Sequence, residues 1–170
     1  GSDGALALGL AHLLIESEHF DREFLARWSN APFLVAEDDG RVLTQADLHD
    51  EGDAEQALAW NETTAAPMPC PPLPPNAAPG VCLALRGRYT ITTRHGPLAC
   101  RPVFDLLAAR CRAWPTSRVE ELTGVPAEQV EAATNLIAEN LPLSYFTWTG
   151  TCQHDNATQT GRAIATLYGL

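Results

Sequence analysis

Apolar residues crowd the opening of the chain, at Ala5, Leu6, Leu8, Leu10, Leu13, Leu14 and Ile15. That density predicts a helix buried on most sides, with Asp3 as its N-cap. A second short helix is predicted over residues 21–28, where Phe24, Leu25 and Trp28 recur at helical spacing. Residues 33–36 and 41–43 are apolar runs around Asp38-Asp39-Gly40, the pattern of a hairpin about an Asp-Gly turn.

The pattern breaks over residues 44–82. Asp47, Asp50, Glu51, Asp53 and Glu55 come first, then seven prolines between positions 67 and 79. Neither helix interiors nor central strands accept such a tract, which predicts a long surface excursion, partly extended and poorly ordered. A second hairpin is predicted over 88–101, turning at His95-Gly96-Pro97. Three helices should follow: 102–113, 117–123 ended by Gly124, and 127–140 opened by Pro126 and closed before Pro142. Residues 143–148 are rich in β-formers and suit a buried strand. A polar loop, 149–156, then leads into a last helix carrying Ala163, Ile164 and Leu167. Helix, strand, loop and helix in that order are the unit of a parallel α/β sheet.

Composition narrows the function classes. Hydrophobic residues make up 45% and charged residues 19% of 170 positions, a globular balance. The formal charge of -10 and pI near 4.8 exclude general nucleic-acid binding and docking on an anionic membrane. No apolar run reaches the roughly 18 residues of a membrane helix, and no leader pattern opens the chain. Five cysteines, at 70, 82, 100, 111 and 152, are widely spaced with no C-x-x-C pair. Free thiols in a reducing compartment are the simplest reading, with one or two disulfides as the alternative.

The most informative stretch is Thr149-Gly150-Thr151-Cys152-Gln153-His154-Asp155-Asn156. It joins the carboxyl end of a predicted strand to a helix, the edge where open α/β sheets bind ligands. Free N–H groups at the helix start suit an anion, Gly150 permits close approach, and Gln153, His154 and Asn156 offer donors and acceptors. The plainer alternative is that Asp155 or Asn156 merely caps the helix while His154 is a surface residue. Neither a G-x-G-x-x-G fingerprint, a phosphate loop nor a G-x-S-x-G elbow occurs. Cys152 beside His154 lacks an identifiable third group for nucleophilic catalysis. His12 and His19 read as packing or solvent contacts, and the acids from Asp47 to Glu55 lack a calcium-loop pattern.

Gly1-Ser2-Asp3-Gly4-Ala5-Leu6, followed by Phe20-Asp21-Arg22-Glu23-Phe24, resembles the G-[ST]-D-x-A-L…D-x-x-F stretch of molybdopterin oxidoreductases. Cys100-Arg101-Pro102-Val103-Phe104-Asp105-Leu106-Leu107 is similar to the C-R-P-x-F-x-L-L segment of the thiosulfate/polysulfide reductase-like and anaerobic dehydrogenase branches. Leu122-Thr123-Gly124-Val125-Pro126-Ala127-Glu128 resembles [IL]-T-G-V-P-A-E. The run from Gly150 to Asn156 resembles a G-x-x-Q-H-[TS]-N turn, and Arg162-Ala163-Ile164 an R-A-I helix. These segments follow the family's order over nearly the whole chain, with the proline-rich tract matching least. Asp155 stands where the family has Thr or Ser, and Ala157 where Gly is common.

The resemblance implies an internal piece of a catalytic subunit: residues 1–170 as a partial Rossmann-like α/β domain, with a parallel sheet and helices on both faces. Residues 44–101 would be an insertion, made of the proline-rich loop 67–79 and the hairpin 88–101. It implies a molybdenum bis-molybdopterin guanine dinucleotide cofactor or its tungsten form. Ser2, Asp3, Trp148, Gly150, Gln153, His154 and Asn156 would lie along that cofactor, with His154 also in a catalytic role and no metal ligand in this chain. A 4Fe–4S cluster is expected in a part of the protein outside these residues. The implied partners are the remainder of the catalytic subunit, and an iron–sulfur electron-transfer subunit. The enzyme would be cytoplasmic or periplasmic and not integral to the membrane. A non-catalytic binding or scaffold module that kept the fold is the competing reading.

Overall fold

The apolar opening of the chain is helical over Asp3–Glu16 (α1). Ser2 takes the N-cap position that Asp3 was expected to hold, and Asp3 lies in the first turn, where a carboxylate favours the positive end of the helix. Buried positions of α1 are mostly small: Gly4, Ala5, Ala7, Gly9 and Ala11, then Leu14 and Ile15. Small side chains let neighbouring helices approach closely. A Cβ on Gly9 would stand 2.5 Å from Cγ2 of Val119, a fully buried residue of the helix Thr116–Thr123.

The computed structural model describes residues 1–170, and α1 belongs to the first of two units, Gly1–Asp21 with Ala108–Leu170; the second is Arg22–Leu107. The first is helical. Around α1 stand α4 (Thr116–Thr123), α5 (Ala127–Glu139) and α6 (Ala157–Gly169), and the unit also takes in the last turn of α3 (Val103–Cys111). Gly124, at φ 73°, closes α4 in the left-handed conformation that glycine adopts without strain, and Pro126 stands at the N-cap of α5, one place before the first helical position expected for it.

The second unit starts with α2 (Arg22–Trp28) and holds two antiparallel sheets. One orders β1 (Leu34–Ala36), β5 (Gly96–Pro102) and β4 (Tyr89–Thr93), with β5 central. The other pairs β2 (Leu58–Asn61) with β3 (Ala66–Pro69). Leu34, Ala36, Leu43, Leu58, Ile91 and Cys100 form the core, and Trp60 of β2 stacks on Tyr89 of β4 at 4.5 Å between ring centroids. Both predicted hairpins are present. In the first, the N–H of Ala36 donates to Arg41 C=O and that of Leu43 to Leu34 C=O around Gly40; in the second, Thr93 pairs with Gly96 across Arg94-His95, one residue earlier than expected.

The chain is mixed α/β as expected, but two finer expectations are not met within it. The parallel sheet is not formed: both sheets are antiparallel, and Leu143 to Trp148 make no strand and are exposed throughout. A strand needs a neighbour for its N–H and C=O groups, and these residues have none within the chain. Nor is 44–82 a loose excursion, since it contains β2 and β3. Pro67 and Pro69 are tolerated because they alternate; Cys70 N–H donates to Ala57 C=O, so the even positions carry the donors that face β2. The proline-rich tract is pinned at Asn76, only 3% exposed. Its backbone N–H donates to Arg27 C=O and its Nδ2 to the carbonyls of Ala26 and Ser29, at the end of α2. No helix of the chain is long and apolar enough to cross a membrane.

Charge is organised locally in the second unit. Glu37 is clasped by Arg88 and Arg101, which hold its carboxyl below the ordinary range, Arg88 foremost. Asp47 closes a capping box with Thr44 and accepts from Arg41 at 2.9 Å. Burial alone would push its carboxyl up, but the Arg41 guanidinium and the Thr44 N–H and hydroxyl hold it below its usual value.

Two outcomes follow. Gly9→Ala should destabilise the helical unit by about 1–3 kcal/mol, the range for overpacking a close contact, as read from urea denaturation; an unchanged midpoint would show that α4 moves freely from α1. Because the Asp47 carboxyl is lowered on folding, its contribution is complete above about pH 4 and fades as acid protonates it. Asp47→Asn should therefore lose about 1 kcal/mol at neutral pH, modest because Arg41 is partly solvated, and the gap to wild type should narrow as the pH falls below about 4. A gap that stays constant as the pH is lowered through the acid range would contradict the assignment.

Candidate functional site

The expected site residues all fall in the helical unit, at two helix starts. Ser2 and Asp3 begin α1. Gln153, His154 and Asn156 lead into α6, with Asn156 at its N-cap. Trp148 and Gly150 lie one turn earlier, around a short 3-10 turn, Thr149–Cys152, that occupies half of the predicted polar loop.

These two starts are neighbours. A Cβ on Gly1 would stand 3.6 Å from His154 Nδ1, and one on Gly4 would stand 3.1 Å from Thr160 Oγ1. Beyond the far ends of the helices, the N–H of Asp21 donates to Leu170 C=O at 2.7 Å. The helices α1 and α6 therefore point the same way, and their positive ends lie side by side. Ser2 and Asn156 occupy the N-caps, yet neither makes a side-chain cap bond. The capping role that could have absorbed Asn156 is not realised. Ala5 N–H donates to Ser2 C=O and Ala157 N–H to His154 C=O, and the remaining first-turn N–H groups of the two helices are left for solvent or a ligand.

Side chains around these starts are open. Gln153, His154, Asp155 and Asn156 are exposed, and Trp148 is 84% exposed. Nothing in the chain lies near a Cβ built on Gly150, so internal packing does not require glycine there. Thr147 Oγ1 and Thr151 Oγ1 share a hydrogen bond at 3.2 Å, and Ala157 N–H donates to His154 C=O, which order the loop without using its imidazole or amides. The arrangement can offer backbone N–H groups, a hydroxyl, two amides and an imidazole to one polyanionic ligand. Asp3 and Asp155 are the unfavourable charges within it.

Other candidates are not assembled. Cys152 and His154 make no hydrogen bond to each other, so a thiol–imidazole pair is not formed. His19 Nδ1 bonds Ser17 Oγ, while His12 Nδ1 is buried without a partner, and the two share no site. No cluster of three or more His, Cys, Asp or Glu side chains is placed to hold a metal ion. What the sequence did not reveal is the contact of Gly4 with Thr160, a threonine only 3% exposed. The signal was faint: a glycine among the small residues of α1, and a threonine one turn into α6.

No family model matches the chain. Curated relatives do. The alpha subunit of the perchlorate reductase of Dechloromonas aromatica is 30% identical over 156 residues, covering 76% of this chain and 17% of the relative. A sulfite dehydrogenase chain of Allochromatium vinosum is 26% identical over 176 residues, covering 97% and 17%. The catalytic subunit of a putative dimethyl sulfoxide reductase of Halobacterium salinarum is 28% identical over 172 residues, covering 100% and 19%. The chain thus spans less than a fifth of the length of these relatives.

The loop makes Cys152 a reporter of its own exposure. Cys70, Cys100 and Cys111 are buried, and burial pushes each thiol up to about 11. Cys82 is exposed but its thiol is raised, chiefly by the hydrogen bond to Glu62. In the folded protein at neutral pH, Cys152 should react first with a thiol reagent, Cys82 more slowly and the other three only on unfolding, as followed by peptide mass spectrometry. Fast labelling of Cys100 or Cys111, or a protected Cys152, would contradict the placement.

Proposed function

We propose that this chain, a segment of the catalytic subunits of the molybdopterin oxidoreductases, helps bind the pterin cofactor within such a protein at the paired starts of α1 and α6. The observation that carries this reading is the side-by-side placement of two uncapped helix starts that bear the candidate residues from opposite ends of the chain. Uncapped N–H groups and aligned helix dipoles fit phosphate oxygens, and the guanine dinucleotide form of the cofactor supplies them. The donor set is therefore suited to that group.

Each residue has a role in the proposal. First-turn N–H groups of α1 and α6 would receive phosphate oxygens. Ser2, Gln153 and Asn156 would donate or accept beside them, and Asp3 would accept from a guanine edge. Gly150 would let the backbone come close, Trp148 would cover an apolar face, and His154 would present an imidazole near the reacting centre. When bound, the cofactor supplies two-electron redox chemistry at molybdenum or tungsten; this chain's residues supply position and electrostatics. The metal ligand and a 4Fe–4S cluster would come from other parts of the protein, and an electron-transfer subunit would be its partner.

The same reading covers the fold and domain organisation. Leu143 to Trp148 would become a strand of a parallel, Rossmann-like sheet when the remainder of the protein supplies neighbours. Apolar or aromatic residues at Leu143 and Tyr145 alternate with others at Phe146 and Trp148, which suits a strand covered on both faces. Residues 44–101 would be an insertion into that domain, and the observation behind this is that Arg22–Leu107 forms its own unit between two stretches that pack together.

The test is direct. The whole subunit should purify with molybdenum or tungsten and pterin, and His154→Ala should lower its turnover by about 10-fold or more with little change in melting temperature. The 170-residue chain by itself should hold no stoichiometric metal. A whole subunit that folds without pterin would remove the proposal, and undiminished turnover of the variant would remove His154 from it.

A further inference from the structure

We infer that Gly4 and Thr160 are a pair of positioning residues that set the distance between the two helix starts, and so decide whether those starts can share one ligand. The inference rests on the proposed cofactor site but concerns packing between the helices and not the donors: Gly4 gives that site only its backbone N–H, and Thr160 N–H is used within α6 by Asn156 C=O. Thr160 is 3% exposed and stands one turn into α6. It packs on Gly4, the second residue of α1. A Cβ on Gly4 would meet Thr160 Oγ1 at 3.1 Å, Thr160 Cα at 3.5 Å and Thr160 Cβ at 3.7 Å. The first distance is tighter than an ordinary carbon contact, and the other two are ordinary.

These three distances decide what a substitution does. Gly4→Ala obliges α6 to retreat by a few tenths of an ångström, because the obstacle is a short, buried hydroxyl and not the end of a flexible chain. Removing that hydroxyl with Thr160→Ala leaves only the ordinary contacts, so the same alanine at position 4 should then fit. Retreat of α6 moves Gln153, His154 and Asn156 away from Ser2 and Asp3 as a group, since the loop runs directly into α6. A close-packed helix pair transmits such a shift instead of absorbing it. Gly9 is the internal control: it is tighter still, but its obstacle is Val119 of α4, away from α6.

The experiment is done on the whole subunit, with pterin and metal content per protein read together with melting temperature. Gly4→Ala should reduce cofactor content roughly tenfold, in line with the sensitivity of preorganised sites to sub-ångström looseness. Gly4→Ala with Thr160→Ala should restore at least half of it, and Thr160→Ser alone should leave it unchanged. Gly9→Ala should lower melting temperature without the selective loss of cofactor. Full loading of Gly4→Ala overturns the inference. Equal loss in the single and double variants also overturns it, because the hydroxyl would then not be the obstacle. A wild-type subunit with no pterin is a different result: it defeats the proposed function, whereas a loaded wild type with an indifferent Gly4 defeats only the positioning role.

Discussion

Close approach at α1 is the constraint on which the helical unit depends. Its inward positions are glycine and alanine over the first turns, and larger residues appear only at Leu14 and Ile15. That gradient lets α4 and α6 come within contact of the α1 backbone. The benefit is geometric more than hydrophobic, because glycine and alanine bury little apolar area. What they permit is the juxtaposition of two segments from opposite ends of the sequence, Gly1–Gly4 and His154–Thr160.

The second unit rests on a different principle. Its core is aliphatic and its edges are fixed by polar devices: the Glu37 clasp, the Asp47 capping box and the Asn76 pin. Each places a side chain with several hydrogen-bonding atoms where other polar groups would otherwise lack partners. Trp60 and Tyr89 add a stacked contact across the two sheets. The unit is thereby built from short strands that would be marginal one by one.

Helices were the legible part of the sequence. Periodicity, prolines at 115, 126 and 142 and the glycine at 124 marked their ends to within a residue or two. The hairpins were readable from Asp-Gly and Gly-Pro turns. Pairing between β2 and β3 was not, because alternating prolines disguise a strand whose donors face only one side. Leu143 to Trp148 misled in the opposite direction: its composition describes a buried strand, and composition cannot report whether the neighbours are in the same stretch of chain. For the candidate site, the residues at each helix start were legible one by one. Their meeting was not, since it is set by Gly4 and Thr160, two residues with no distinctive chemistry.

The split of the helical unit bears on how the chain acquires its shape. The helix α1 leaves the ribosome before its partners, for α4, α5 and α6 emerge only after all of Arg22–Leu107. Until then its stripe of small residues has no partner, and a helix of that kind is weakly stable alone. If Arg22–Leu107 folds in the interval, it ties residues 22 and 107 to fixed positions and removes most of the chain freedom that closing the helical unit would otherwise have to overcome. The middle of the chain would then act as a folding scaffold for its two ends, and mutations in its core would slow the assembly of a helical layer they never touch.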